Sequence, residues 1–328
     1  MTGGTLVLTR QTVAGILTLD DCIHAVEEAF RRHGLGQIGE PGILGMHVEG
    51  GGFHVKAAAM DAPRPYFAAK LNANFPGNRI RGLPTIQGVI ALFDAYDGRL
   101  LALMDSIEIT ILRTGAATAV AARHLSRPVR SVVTIAGCGN QGRVSLLALA
   151  RVREIESAFV WDVDPERAQT CAADLSSALE RAVTPTDDFH GTARTSDIIV
   201  TCTPSTAPVH GPDGVRDGAF IDAVRADSEH KHEIDPTLMA RAVVITDVTT
   251  QCATIGDLHH ALSAGVVTLD HVRAQLGEVV AGVRPGRTRE DEVIVFDSTG
   301  TALQDVAVAA LVYERALATS TGTSVCFQ

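Results

Sequence analysis

Along "TLDDCIHAVEEAFRRHG" the apolar residues Leu19, Ile23, Val26 and Phe30 recur every three to four positions, the period of a helix with one buried face. Thr18 stands as its N-cap with Asp21 three residues on, and Gly34 is the expected stop. The pattern then changes to short strand-like runs: "FHVKAAAM", "YFAAKLNANF", "IQGVIALFD" and "LLALMD". Between the last two, "AYDGR" carries the Asp-Gly signal of a tight hairpin. The first hundred or so residues therefore predict a helix with a mostly antiparallel sheet. "SIEITILRTGAATAVAARHL" reads as a long helix with an Ala-rich face suited to close packing. After it, "SVVTIAG", "SAFVWD", "DIIVTC", "GAFIDAV" and "AVVITD" are short buried strands separated by helical stretches. That alternation predicts a parallel, doubly wound α/β sheet. It ends near Asp297, and the amphipathic "TALQDVAVAALVYERAL" is expected to pack back on the first domain.

Composition narrows the class. The 328 residues are 46% hydrophobic, enough for two ordinary cores, and the formal charge is -10. No basic block breaks the acidity, which argues against nucleic acid and anionic membranes as partners. No apolar run reaches the length of a membrane helix, and the N-terminus lacks the pattern of a signal peptide. Cys22, Cys138, Cys171, Cys202, Cys252 and Cys326 lie far apart, which fits buried thiols in a reducing cytoplasm. A cytoplasmic protein without a metal site is the expectation. His230 and His232 lack a third ligand.

The strongest local motif is "VVTIAGCGNQGRVSLLALA", in which Gly137, Gly139 and Gly142 follow a strand and open a helix. Such glycines permit a tight turn, close approach of backbone to a pyrophosphate and close helix-strand packing. Gly137, Gly139, Asn140, Gln141 and Gly142 are the expected cradle. The next strand ends at Asp162, which is placed to accept hydrogen bonds from ribose hydroxyls. A carboxylate there repels a 2'-phosphate, so NAD(H) is favoured over NADP(H). Asp164, before Pro165, reads as a helix cap. Thr203, Pro204 and Ser205 end another strand at the ligand-binding edge, where a simple turn is the competing reading.

A nicotinamide enzyme for small polar substrates needs cations for a carboxylate and a group that handles a proton. Lys70, inside an otherwise buried strand, requires an anionic partner, either a structural ion pair or a ligand. Arg113, in the long helix, is either exposed or grips a carboxylate. In "ADSEHKHEID", Asp227 follows a strand on the cofactor edge and is the candidate for proton handling. Ser228 to Glu233 read as a solvated loop, and Asp235 caps a helix beginning at Pro236.

Taken together, "AKLNANFPGN", "GLPTIQGVIALFDAYDGRLLALMDSIEITILRTGAATAVAARHL", "IAGCGNQG", "VTCTPS", "EIDP" and "VFDSTGTALQD" cover nearly the whole chain in order. With them the sequence resembles the ornithine cyclodeaminase/μ-crystallin family, which includes archaeal-type alanine dehydrogenases and ketimine reductases. The resemblance implies a homodimer. It also implies a Rossmann-type domain, residues 123–298, inserted in an α+β substrate-binding and dimerisation domain formed by residues 1–122 and 299–328. By the same resemblance, Lys70 and Arg113 hold the substrate carboxylate and Asp227 accepts the amine proton. Thr203, Pro204, Ser205, Asp297, Ser298 and Thr299, with Thr114 beside Arg113, line the cofactor. One departure stands out: "GEPGILGMHVEGG" lacks the arginine that many members use on the carboxylate. Lys56, alone or with His47 or His54, is the expected substitute. The implied function is NAD(H)-dependent amino-acid dehydrogenase or imine reductase, acting on a small amino acid, keto acid with amine, or imine. The alternatives are a cyclodeaminase that uses NAD without net redox change, and a non-catalytic NAD(P)H-dependent binding protein.

Overall fold

The computed structural model describes residues 4–61, 64–224 and 229–327. Its strands are β1 (Thr5–Leu8), β2 (Gly42–Val48), β3 (Gly51–Asp61), β4 (Pro65–Asn74), β5 (Ile86–Asp94), β6 (Leu100–Asp105), β7 (Ser131–Ala136) and β8 (Ile155–Trp161). They continue with β9 (Val183–Pro185), β10 (Ile198–Thr201), β11 (Phe220–Ala223), β12 (Val243–Thr246), β13 (Val272–Gln275), β14 (Ile294–Asp297) and β15 (Thr323–Val325). The chain divides into two compact units, Met1–Arg113 with Thr301–Gln328, and Thr114–Gly300. The division falls after Arg113, within the helix Ile107–Leu125 that also holds residue 122. A continuous helix contains no linker, so composition gives no sign of the change.

The first unit holds one sheet in the order β15-β1-β6-β5-β4-β3-β2. Only β1 and β6 pair in parallel; the other neighbours are antiparallel. Alternation decides its faces. Met60, Ala58, Tyr66, Ala68, Ile90, Leu92, Ala102 and Met104 are buried, and the helix Ala302–Ala318 lies against β3, β4, β5 and β6. The helix Leu19–Gly34 packs on that last helix through its apolar stripe. The Thr18 side chain caps it by accepting from the Asp21 N–H. It ends at Gly34, as expected, and Gly36 (φ 68) supplies the left-handed turn just beyond.

In the first unit, β1, the helix Arg10–Ile16, β2 and β15 were not legible in the pattern, nor were β9 and β13 in the second. β1 and β15 are short, and β2 is exposed on both faces, so burial imposes no alternation on it. On the outer face of the sheet, Leu44, Val55, Leu71 and Val89 stand in one register row across four strands, with Met46 opposite Phe53 beside them. Leu44, Met46, Phe53, Leu71 and Val89 are exposed in the chain.

In the second unit eight strands run in the order β13-β12-β14-β11-β10-β7-β8-β9, every pair parallel. The doubly wound sheet expected from the short buried runs is therefore present. The small residues after Thr114 permit close helix packing: a Cβ on Gly115 would lie 2.7 Å from Val144 Cγ2. Asp164 caps the helix Pro165–Leu179 and Asp235 caps Pro236–Arg241, both through side-chain oxygens. Cys22, Cys138, Cys171, Cys202 and Cys252 are buried, but Cys326 is exposed, against the expectation of buried thiols throughout. Among the described residues, no helix is long and apolar enough to cross a membrane.

Candidate active site

Parallel strands put all their carboxyl ends on one edge of the second unit, where open α/β sheets bind ligands. Here Ala136, Thr201, Ala223 and Asp297 stand in register across β7, β10, β11 and β14. β8 and β10 flank β7, and their connections leave in opposite directions along the sheet, which creates a crevice at the end of β7. The glycine loop lies at that point. Gly137 adopts φ 104, a conformation that side chains avoid, and a Cβ on Gly142 would come within 1.9 Å of the Gly137 carbonyl oxygen. At Gly139 a Cβ would meet nothing within 4 Å, so the backbone there is open to a ligand. Asn140 and Gln141 begin the helix Asn140–Val152, whose first-turn N–H groups have no carbonyl partner within the helix. This set of features fits the pyrophosphate of a dinucleotide.

Asp162 does more than end β8. Its Oδ2 accepts from the Cys138 N–H at 2.8 Å and its Oδ1 from the Asp164 N–H at 3.1 Å. It thus ties the glycine loop to the strand end while keeping lone pairs for other donors. Beside it, Cys138, Arg143, Asp164, Glu166, Arg167 and Thr170 line a hollow of about 250 Å³. Arg143 is engaged by Asp174 and Arg167 lies 3.8 Å from Asp162, so carboxylates outnumber guanidinium groups there. An uncharged polar group such as a ribose suits that balance better than a phosphate.

In the first unit, antiparallel pairing sets Lys56 of β3 directly opposite Lys70 of β4. Lys56, Lys70 and Arg113 are all buried, around the buried carboxylate of Asp305 in the last helix. Lys70 Nζ donates to Asp305 Oδ1 at 2.8 Å, and Arg113 Nε lies 3.2 Å from the same oxygen. Arg113 Nη1 also donates to Gln304 Oε1 at 2.7 Å. Burial, and then the Arg113 charge, pull the Lys70 ammonium down to about 7. Burial works to raise Asp305, but Lys70, Arg113 and Lys56 outweigh it and hold the carboxyl below its ordinary value. Lys70 and Arg113 thus meet at the Asp305 carboxylate, with the Lys56 charge acting on it as well, a polarity that suits an incoming carboxylate. His54 lies two residues from Lys56 on the same face of β3, half-buried, whereas His47 lies on exposed β2 opposite Gly52.

The remaining candidates are distributed as follows. Thr203 is buried, its Oγ1 accepts from the Ser205 N–H, and Ser205 Oγ donates to the Ala207 carbonyl, so a turn does form after β10 with Pro204 exposed at its crest. Asp297 accepts from the N–H groups of Asp257 and Leu258, so its carboxylate is spent inside the unit. Burial, then Asp257, push its carboxyl well above the ordinary range. Ser298 is buried, and its N–H donates to the Ala223 carbonyl. Thr299 Oγ1 donates to Asp247 Oδ1 at 2.8 Å and accepts from Gln251 Nε2 at 2.7 Å. Thr114 is buried just past Arg113. Asp227 lies outside the described residues.

One expectation is overturned. Glu233 is not part of a solvated loop: it is fully buried, and its Oε1 accepts from the Thr203 N–H at 2.6 Å. Its own N–H donates to Asp257 Oδ1 at 2.8 Å. A run of charges usually marks a wet surface, but this run ends by folding back onto the turn after β10. His232 stacks on His260 with ring centroids 4.0 Å apart. No group of three His, Cys, Asp or Glu side chains gathers as a metal site among the described residues. Asp305, Gln304, Asp247 and Glu233 escaped the sequence reading, since each partner lies far along the chain.

The sequence profile of the ornithine cyclodeaminase/mu-crystallin family matches residues 4–320. The chain is 36% identical over 324 residues to the alanine dehydrogenase of Archaeoglobus fulgidus, covering 98% of each. Among solved structures, an archaeal alanine dehydrogenase dimer with bound NAD superposes with a TM-score of 0.93 at 35% identity, over 99% of each chain. The Δ1-pyrroline-2-carboxylate reductase of Thermococcus litoralis, in complex with NADH and L-proline, also gives 0.93. Its identity is 30%, over 98% of this chain and 100% of that one.

Proposed function

Because the chain belongs to the ornithine cyclodeaminase/mu-crystallin family, we propose that it is an NAD(H)-dependent oxidoreductase acting on the amine or imine carbon of a small α-amino or α-imino acid. The observation that carries this reading is the buried group of Lys56, Lys70 and Arg113 around Asp305. The relatives named above, an alanine dehydrogenase and a pyrroline-carboxylate reductase, support it.

Bound NAD(H) supplies the acceptor or donor of a hydride at the substrate Cα. The loop of Gly137, Gly139 and Gly142, with the helix start at Asn140 and Gln141, holds its pyrophosphate, and Asp162 takes the ribose hydroxyls. Thr114, Thr203, Pro204, Ser205, Ser298 and Thr299 are the further cofactor contacts. Arg113 and Lys56 hold the substrate carboxylate, with His54 and His47 along the same strands. Lys70 stands near the midpoint of its titration at neutral pH, so it can carry a charge toward the carboxylate or exchange a proton. A bound carboxylate raises its proton affinity and fixes it as ammonium. Asp227 is the acceptor for the proton on nitrogen. In oxidation, Cα loses a hydride and the nitrogen a proton; water then adds to the imine carbon and ammonia leaves. Reduction of an imine runs the first step in reverse.

The apolar row Leu44, Val55, Leu71 and Val89, exposed except for the half-buried Val55, with exposed Met46 and Phe53 beside it, calls for a cover. A second copy of the chain is the proposed one, in line with the dimer of the archaeal relative. The test is a screen of amino acids with NAD, and of keto acids plus amines with NADH or NADPH, read by cofactor consumption and product mass. Net NADH turnover is expected, and Asp227→Ala should abolish it without loss of NADH binding. Ammonia release from a diamino acid with no net NADH change would assign a cyclodeaminase instead. NADH binding with no turnover of any substrate would assign a binding protein.

A further inference from the structure

Resting on that reading of the carboxylate site, we infer that Gln304 is a further substrate-binding residue whose side-chain amide donates a hydrogen bond to the substrate carboxylate. Gln304 lies in the first turn of the helix Ala302–Ala318, next to Asp305, and its exposure is 0%. Its Oε1 accepts from Arg113 Nη1 at 2.7 Å. That contact fixes which way the amide faces, because a guanidinium only donates and therefore requires the oxygen. Nε2 must then point away from Arg113, and it has no hydrogen-bond partner among the described residues.

A buried amide N–H without an acceptor is unfavourable, and native structures rarely leave one so. The groups that share the pocket do not satisfy it: Lys70 and Arg113 are donors, and neither oxygen of Asp305, which both of them approach, accepts from it. An acceptor therefore has to arrive with the ligand. One turn earlier on the same helix, Thr301 is also fully buried, its hydroxyl caps nothing and has no partner. A planar carboxylate that meets Arg113 through one oxygen presents the other to a donor fixed beside that guanidinium. The chemical class is a compact α-amino, α-imino or α-keto carboxylate.

The probe is oxamate, an unreactive planar carboxylate of that class, titrated calorimetrically into the NADH-loaded protein. Gln304→Met should weaken oxamate about ten-fold or more, while NADH affinity stays near wild type. The same substitution in an Arg113→Met background separates direct contact from help given through Arg113. A direct donor predicts a further loss of similar size there. Unchanged affinity in Gln304→Met, or a loss that vanishes once Arg113 is gone, would overturn the assignment. A crystal structure of the wild type with NADH and oxamate checks it without any variant: Nε2 should lie within hydrogen-bonding distance of a carboxylate oxygen, and a longer separation rejects it. If the wild type binds no oxamate at all, the carboxylate-site reading fails first, and this inference with it.

Discussion

Asp305→Asn tests the electrostatics of the carboxylate site most directly. The side chain keeps its shape but loses the carboxylate charge that Lys70 and Arg113 approach at 2.7 and 3.2 Å. Removing one partner of a buried ion pair costs about 3–5 kcal/mol, most of it from the charge left unpaired. Arg113 cannot shed its proton, so it bears that cost in full. Lys70 can, since it already titrates near 7, and without the Asp305 charge its pKa falls further. A drop of one unit corresponds to about 1.4 kcal/mol of lost interaction. Two readouts follow. The unfolding temperature should fall by about 6 °C or more, at roughly 2 °C per kcal/mol for a chain region of this size. Affinity for a carboxylate ligand, which requires the Lys70 ammonium, falls in the wild type as pH rises through about 7. In the variant that decline should begin at least about one unit lower. An unshifted unfolding temperature together with an unshifted pH limb would refute the argument.

Two further outcomes follow from the second unit. Asp162→Ala should weaken NADH about ten-fold or more, as loss of hydrogen bonds to a charged acceptor does, when followed by nicotinamide fluorescence. NADPH should lose less, and equal losses for both cofactors would contradict the role given to the carboxylate. Asp222, buried in β11, is raised to about 7, by burial first and then by Asp247, against a hydrogen bond from Thr118. A carboxyl raised on folding contributes stability that is whole below about pH 4 and is lost as pH rises through about 7. Urea midpoints should therefore decline over that window, and Asp222→Asn should flatten the decline; an identical slope in the variant would exclude Asp222 as its source.

Several features were written locally and could be read without the fold. Gly137, Gly139 and Gly142 between an apolar strand and a helix specify a tight turn wherever they occur in that order. The runs after residue 130 specify buried parallel strands by their lack of alternation. The caps Thr18, Asp164 and Asp235 each act within three residues of themselves. The same reading misplaced Glu233, because a charge run carries no record of where the chain returns, and only the return to Thr203 buries it. It could also leave Lys70 undecided between ion pair and ligand, since both demand a buried lysine.

The sequence by itself determined most of the elements, the sheet types and the glycine loop, all set by interactions between near neighbours in the chain. The tertiary structure alone decided which acid meets the buried cations. Asp305 lies 235 residues from Lys70, and Gln304 lies 191 from Arg113. No periodicity spans such distances. The pairings exist because the last helix lies across the sheet and buries both partners, where an unpaired charge is too costly to leave alone.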